Sequence, residues 1–170
     1  MACSYPFVFF TAENLKGIKH LSCSMDIRDQ KILSVLLENS RLSCREIAKR
    51  VGCSVATVLN RMRELEKQGI VKGYVAQLDY EKLGYDVQAV ISLRISKGKL
   101  FEVEKKIAIL HPVFAVYDVT GNFDAIVVAK FKSRKALDTF LKKIQAYDFV
   151  ERTDTKLVLN TFKESPIKLS

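Results

Sequence analysis

Tryptophan is absent from this 170-residue chain, proline occurs three times, glycine seven times and histidine twice. So little proline and glycine excludes collagen-like and low-complexity architectures, which need those residues in bulk. No apolar run approaches the roughly 20 residues that a membrane-spanning helix requires. The opening MACSYPFVFF is apolar, yet it lacks the basic leader of a secretory signal, and TAENLKG follows in place of a small-residue cleavage site. Residues 1–24 therefore read as a poorly specified extension, with Met25 as an alternative start because organised sequence begins there.

Residues suited to metal or covalent chemistry are equally sparse. His20 and His111 are far apart and lack neighbouring ligand residues; His111, ahead of Pro112, reads as a helix C-terminal residue interacting with the dipole. Cys3, Cys23, Cys44 and Cys53 form no C-x-x-C pair, so neither a metal nor any other cofactor is implied. Reduced thiols in a cytoplasmic protein are the expected state, ahead of a Cys44–Cys53 redox bridge. No G-x-S-x-G, P-loop or paired-glycine dinucleotide signature is present, and no active site is visible.

What is there is a globular composition, 48% hydrophobic and 28% charged, with 28 basic against 19 acidic residues and a net charge of +9. The length suits one compact domain or two small ones. The basic excess fits a polyanionic partner, nucleic acid or a membrane surface, as well as it fits a plain solvated surface, until its placement is known.

From Asp26 the pattern turns helical. Ile27, Ile32, Leu33, Leu36 and Leu37 form one apolar face that stops near Asn39-Ser40. Ser43 caps a second helix, and Glu46 three residues later completes a capping box. Ile47, Ala48 and Val51 form the buried side of that helix, and Gly52 permits the left-handed turn out of it. Ser54 caps a third helix in which Val55, Val58, Met62 and Leu65 share a stripe, so Thr57, Asn60, Arg61 and Glu64 point largely elsewhere. Gly69 ends it. Two short amphipathic helices joined by a tight turn are what a chain needs to lay one helix in a DNA major groove while the other braces it. IVKGYVAQLD (70–79) reads as an extended segment or wing, and DYEKLGY (79–85) as a turn-rich connector at a domain boundary.

The second half alternates strand and helix. Strands are expected at Val87–Ile95, Val113–Thr120, Ala125–Phe131 and Glu151–Phe162, with helices at Leu100–Leu110, stopped by Pro112, and at 133–145. Gly121-Asn122 marks a hairpin. The order β-α-β-β-α-β is the ferredoxin-like split unit, an α+β arrangement with two helices on one face of a four-stranded antiparallel sheet. AIVVA (125–129) is apolar at consecutive positions and expects cover on both faces, so a second copy of the chain is expected on the helix-free face or at an edge.

These fragments, in this order, resemble the Lrp/AsnC family of transcription regulators over residues 25–165. The resemblance rests on Asp26-x-x-Asp29, Asn39-Ser40-Arg41, Arg45-Glu46-Ile47-Ala48, Val51-Gly52-Cys53-Ser54, Val58-x-x-Arg61-Met62-x-x-Leu65-Glu66 and Gly69-Ile70-Val71-Lys72-Gly73. Downstream it rests on Leu83-Gly84, Val119-Thr120-Gly121-x-x-Asp124 and Thr153-x-Thr155. It implies a winged helix-turn-helix over 25–73, a hinge and connector over 74–86, and a RAM/ACT-like regulatory domain over 87–165 that oligomerises and binds an effector. Dimers assembling further into octamers, and a response to amino acids, are implied with it. The extension and the effector-loop residues Asn122 and Phe123 depart from the shared pattern, which leaves the effector open.

The third helix is the expected reader. Ser54, Ala56 and Thr57 come to the groove at its N-terminus, and its free amides favour a phosphate. Asn60 can pair with adenine, and Arg61 or Arg63 with guanine; Arg61 can alternatively hold a phosphate or a helix carboxylate. Arg41, Arg45, Lys49, Arg50 and Lys72 would fix register on the backbone. Residues 41–72 carry eight basic against three acidic side chains, an excess placed where a groove binder wants it. In the second domain Gly121, Asn122 and Asp124 read either as a plain hairpin turn or as a pocket, with amides for an effector carboxylate and Asp124 for an ammonium group. Thr153 and Thr155, two apart on one strand face, could line the same pocket or serve only as strand formers.

The expectation is a sequence-specific DNA-binding regulator that is not an enzyme. Its recognition helices would enter successive major grooves roughly 34 Å apart, and its affinity would be shifted by a small effector. The alternatives are a low-specificity DNA-packaging protein and, on the same architecture, a sirohaem-decarboxylase-like enzyme.

Overall fold

The computed structural model describes residues 25–96 and 98–169. The extension, with Cys3, His20 and Cys23, lies outside the described residues. The chain divides into two units, one running to Tyr74 and including the segment from Pro166, the other Val75–Ser165.

In the first unit Asp26 caps helix α1 (Ile27–Glu38), α2 spans Cys44–Val51 and α3 spans Val55–Lys67. The Ser43 amide donates to Glu46 Oε2 at 2.8 Å while the Glu46 amide donates back to Ser43 Oγ at 3.3 Å, so each side chain satisfies an amide the helix cannot. The Ser43 hydroxyl also donates to Glu46 Oε2 at 2.7 Å, and that bond, followed by the one from the Ser43 amide, lowers the pKa of the Glu46 carboxyl. Gly52, at φ 74°, takes the left-handed conformation that ends α2.

Ile32, Ile47 and Val58, one from each helix, are fully buried, and burying a side chain of this size stabilises by about 2 kcal/mol. Ile27, assigned to this face from sequence, is instead 69% exposed, and Leu37 is exposed as well. Ile27 opens the helix about 140° round from Ile32 at 100° per residue, so the first turn buries Asp29 in its place. Val55 is likewise exposed. Among the described residues, 72–79 pair with no strand, so the segment read as an extended run or wing joins no sheet.

In the second unit β1 (Val87–Ile95), α4 (Leu100–Ala108), β2 (Val113–Asp118), β3 (Ala125–Phe131), α5 (Arg134–Gln145) and β4 (Val150–Leu157) follow in the expected order. The four strands form one antiparallel sheet in the order β2-β3-β1-β4. Alternate residues Ala89, Ile91, Leu93 and Ile95 of β1 and Ala125, Val127, Ala129 and Phe131 of β3 pack on Val103, Ile107, Leu137, Phe140 and Ile144 of the helices.

Two strands are shorter than the sequence suggested. β4 ends at Leu157, which faces Ala89, and Val158 makes the last bond, to the Gln88 carbonyl. β2 stops at Asp118 because the Val119 amide turns to the Asp124 carbonyl and closes the hairpin. On the helix-free face Ile126 and Val128 are half-buried, and the Lys130 ammonium lies 4.7 Å from the Tyr80 ring centroid and 3.5 Å from Glu164. The chain's own connector and tail therefore cover part of that face. Among the described residues no helix is long and apolar enough to cross a membrane.

Candidate nucleic-acid interface and effector pocket

α3 buries Val58 and Leu65, which leaves Ala56, Leu59, Asn60 and Arg63 together on its exposed side at i, i+3, i+4 and i+7. Ser54 and Thr57 are tied into the cap: the Thr57 amide donates to Ser54 Oγ at 3.1 Å, and the two hydroxyl oxygens lie 2.9 Å apart.

Arg61 is turned away from that face. Its guanidinium lies 3.3 Å from Asp26 Oδ2 and 3.6 Å from Asp29 Oδ2, bracing the start of α1. Of the partners considered from sequence, base, phosphate or helix carboxylate, the structure shows the carboxylate, because Arg61 follows the buried Val58 by three residues and stays beside the core. Leu59 was missed as a surface residue. The signal was present in the helical angle, since Leu59 follows Val55 and precedes Arg63 by four.

Arg41, Arg45, Lys49, Arg50 and Lys72 are all exposed. Arg50 pairs at 3.5 Å with Glu38, the last residue of α1, and Lys72 also has an interaction partner. At the end of the unit the Tyr74 hydroxyl donates to Glu66 at 2.9 Å, and burial, followed by the Glu66 bond and charge, pushes its pKa up to about 12.

In the second unit Gly121, at φ 120°, turns the β2–β3 hairpin. Beside it Arg94, Gly121, Asn122, Phe123, Arg152 and Asp154 line an open pocket of about 620 Å³. The Asp124 carboxylate accepts the Ile95 amide at 2.8 Å and lies 3.6 Å from Arg94 Nε, so it fastens the loop to β1 from within the chain. Arg94 also donates to the Asn122 carbonyl at 3.2 Å.

Thr153 and Thr155 do not join this pocket. They lie opposite Leu93 and Ile91, whose side chains are in the helix-covered core, and Thr153 accepts a bond from Gln145 of α5 at 2.9 Å. Their alternates Arg152 and Asp154 occupy the pocket face, because strand side chains change face at every residue. Arg94, Arg152 and Asp154 were missed for that reason, while Phe123, named with Asn122 as an effector-loop residue, does line the pocket. Away from the pocket, Glu104 on α4 keeps Oε1 buried without a hydrogen-bond partner, and burial, aided by the Asp118 charge, raises its pKa to about 7.

A three-helix head with a basic exposed helix, followed by a βαββαβ domain with a pocket at its hairpin, defines a two-domain DNA-binding regulator. Residues 25–72 match the family described as winged helix-turn-helix DNA-binding, and residues 88–167 match the Lrp/AsnC ligand binding domain. The chain belongs to the Lrp/AsnC family of transcription regulators. It is 46% identical over 140 residues to a helix-turn-helix-type transcriptional regulator of Pyrococcus furiosus, an alignment covering 82% of this chain and 95% of that one. It is 35% identical over 147 residues to the regulator FL11 of Pyrococcus horikoshii, covering 85% and 97%.

Among solved structures, AsnC of E. coli superposes with a TM-score of 0.79 at 29% identity, over 85% of this chain and 98% of that one. A transcriptional regulator of Neisseria meningitidis in complex with L-Met does so with a TM-score of 0.79 at 30% identity, over 86% and 97%. These relatives are regulators, and the chain is a DNA-binding transcription regulator, not an enzyme.

Proposed function

We propose that this regulator reads a specific operator with α3, acting in the cytoplasm as a dimer or larger assembly whose affinity for DNA is set by an amino acid or a related small effector. The observation that carries the reading is the exposed face of α3, where Asn60 and Arg63 stand beside Ala56 and Leu59. Asn60 suits adenine and Arg63 guanine, while the apolar pair suits thymine methyls. Arg41, Arg45, Lys49, Arg50 and Lys72, with the capped N-terminus at Ser54 and Thr57, serve the phosphate backbone.

Residues 25–73 carry the DNA head, 74–86 connect it, and 87–165 assemble the protein and take the effector near Gly121 and Asn122. Assembly is supported by the half-buried Val90, Ile126 and Val128 on the helix-free sheet face and by the exposed Phe114 and Tyr117. The amino-acid class is supported by the ligand-binding match and by the L-Met complex of the Neisseria regulator.

Fluorescence anisotropy with DNA from upstream of the chain's own gene, beside a shuffled duplex and with and without mixed amino acids, tests this. A specific regulator prefers the native fragment by about a thousandfold or more. Equal binding to both duplexes would instead describe a DNA-packaging protein, and no amino-acid effect would remove the effector from the reading.

A further inference from the structure

Like charges directly opposite one another on paired strands repel, yet β1 and β4 place Arg94 opposite Arg152 on the pocket face. The other charges there are matched. Arg94 lies against Asp124 and the Asn122 carbonyl, and Asp154 is paired with Lys156. Arg152 is exposed, and among the described residues its guanidinium has neither an ion pair nor a hydrogen bond. The pocket thus keeps one uncompensated guanidinium, a planar fork of donors shaped for a carboxylate.

We propose that Arg152 receives a second anionic group of the effector, so that the pocket selects an acidic amino acid over a neutral one. This rests on reading the pocket as the effector site. A neutral amino acid offers one carboxylate and one ammonium group. Arg94 can donate to the first, and Asp154 and the Asn122 carbonyl retain lone pairs for the second. Binding such a ligand would cover Arg152 without pairing it, which costs desolvation. An aspartate- or glutamate-like ligand places its side-chain carboxylate on Arg152 and relieves the Arg94–Arg152 repulsion as well.

Calorimetric titration of the full chain with L-glutamate, L-aspartate, L-leucine, L-methionine, 2-oxoglutarate and inorganic phosphate tests the assignment. The proteins compared are the wild type, Arg152→Gln, and Lys135→Gln as a control for net charge on the remote α5, with thermal melts to confirm folding. The acidic amino acids should bind about tenfold or more tightly than the neutral ones. Arg152→Gln should remove that preference, weakening the acidic amino acids about tenfold and leaving neutral binding unweakened or slightly tighter because no unpaired guanidinium is then covered, and Lys135→Gln should change neither.

Leucine or methionine binding as tightly as glutamate, or a preference that survives Arg152→Gln, would overturn the proposal and leave the effector reading standing. Tighter binding of 2-oxoglutarate or phosphate through Arg152 would overturn the amino-acid assignment. Binding by none of the six would overturn the proposal, and the mixed amino acids of the operator assay would decide the effector reading separately.

Discussion

Arg61 and Arg63 are two positions apart on α3, and the difference in angle separates their work. The Arg61 guanidinium is held by Asp26 and by Asp29, which is 8% exposed, while Arg63 stands on the open side of the helix. Arg61→Ala should therefore cost the head about 1 kcal/mol in denaturant unfolding, because it leaves a nearly buried carboxylate without its cation. Arg63→Ala should leave unfolding unchanged and weaken the native operator by about 1–3 kcal/mol in anisotropy titrations. A stability loss from the second variant in place of an affinity loss would reverse the assignment.

Glu104, on α4, keeps a buried carboxyl oxygen without a hydrogen-bond partner among the described residues. Its folded pKa of about 7 lies above the ordinary 4.5 of a glutamate, so the folded state holds the extra proton between those values. Stability is then full at low pH and falls as pH rises from 4.5 through 7. Glu104→Gln should raise Tm at pH 8 by about 2 °C, a small gain because the group is partly solvated, and leave it unchanged below about pH 4.

At the scale of elements, the helices of the head are local objects, and their ends are written in adjacent residues. The Ser43–Glu46 box was legible as S-x-x-E ahead of an apolar pair, and the structure shows both of its reciprocal bonds. Ser43→Ala should lower stability by about 1 kcal/mol in chemical denaturation. The element order of the second unit was legible too, because β1 and β3 alternate against a core and α5 is opened by Ser133, which accepts the Ala136 amide. Strand ends were less so. Neither Leu157 nor Asp118 carries a local stop.

At the scale of the molecule, a net charge of +9 says that the chain suits a polyanion, and the folded head says where. The exposed Arg41, Arg45 and Lys49 accompany α3, so binding should weaken steeply with salt. Arg45→Gln should reduce the slope of log K against log salt by about 1 per bound head, and by the same amount on native and shuffled duplexes. A change confined to the native duplex would make Arg45 a base reader.

Sequence alone determined the family, the succession of elements, the caps and the basic head, because each depends on residues within one or two helical turns or on a fixed order along the chain. Tertiary structure decided which side chains meet. The run VERTDTKL of β4 has no apolar alternation to say which face turns inward, so only its pairing with β1 sends Thr153 and Thr155 to the helices and Arg152 and Asp154 to the pocket. Arg61 likewise finds its carboxylates only once α1 lies beside α3. Helical hydrogen bonds are set four residues apart, whereas the face of a strand and the partner of a charge are set by contacts from distant parts of the chain.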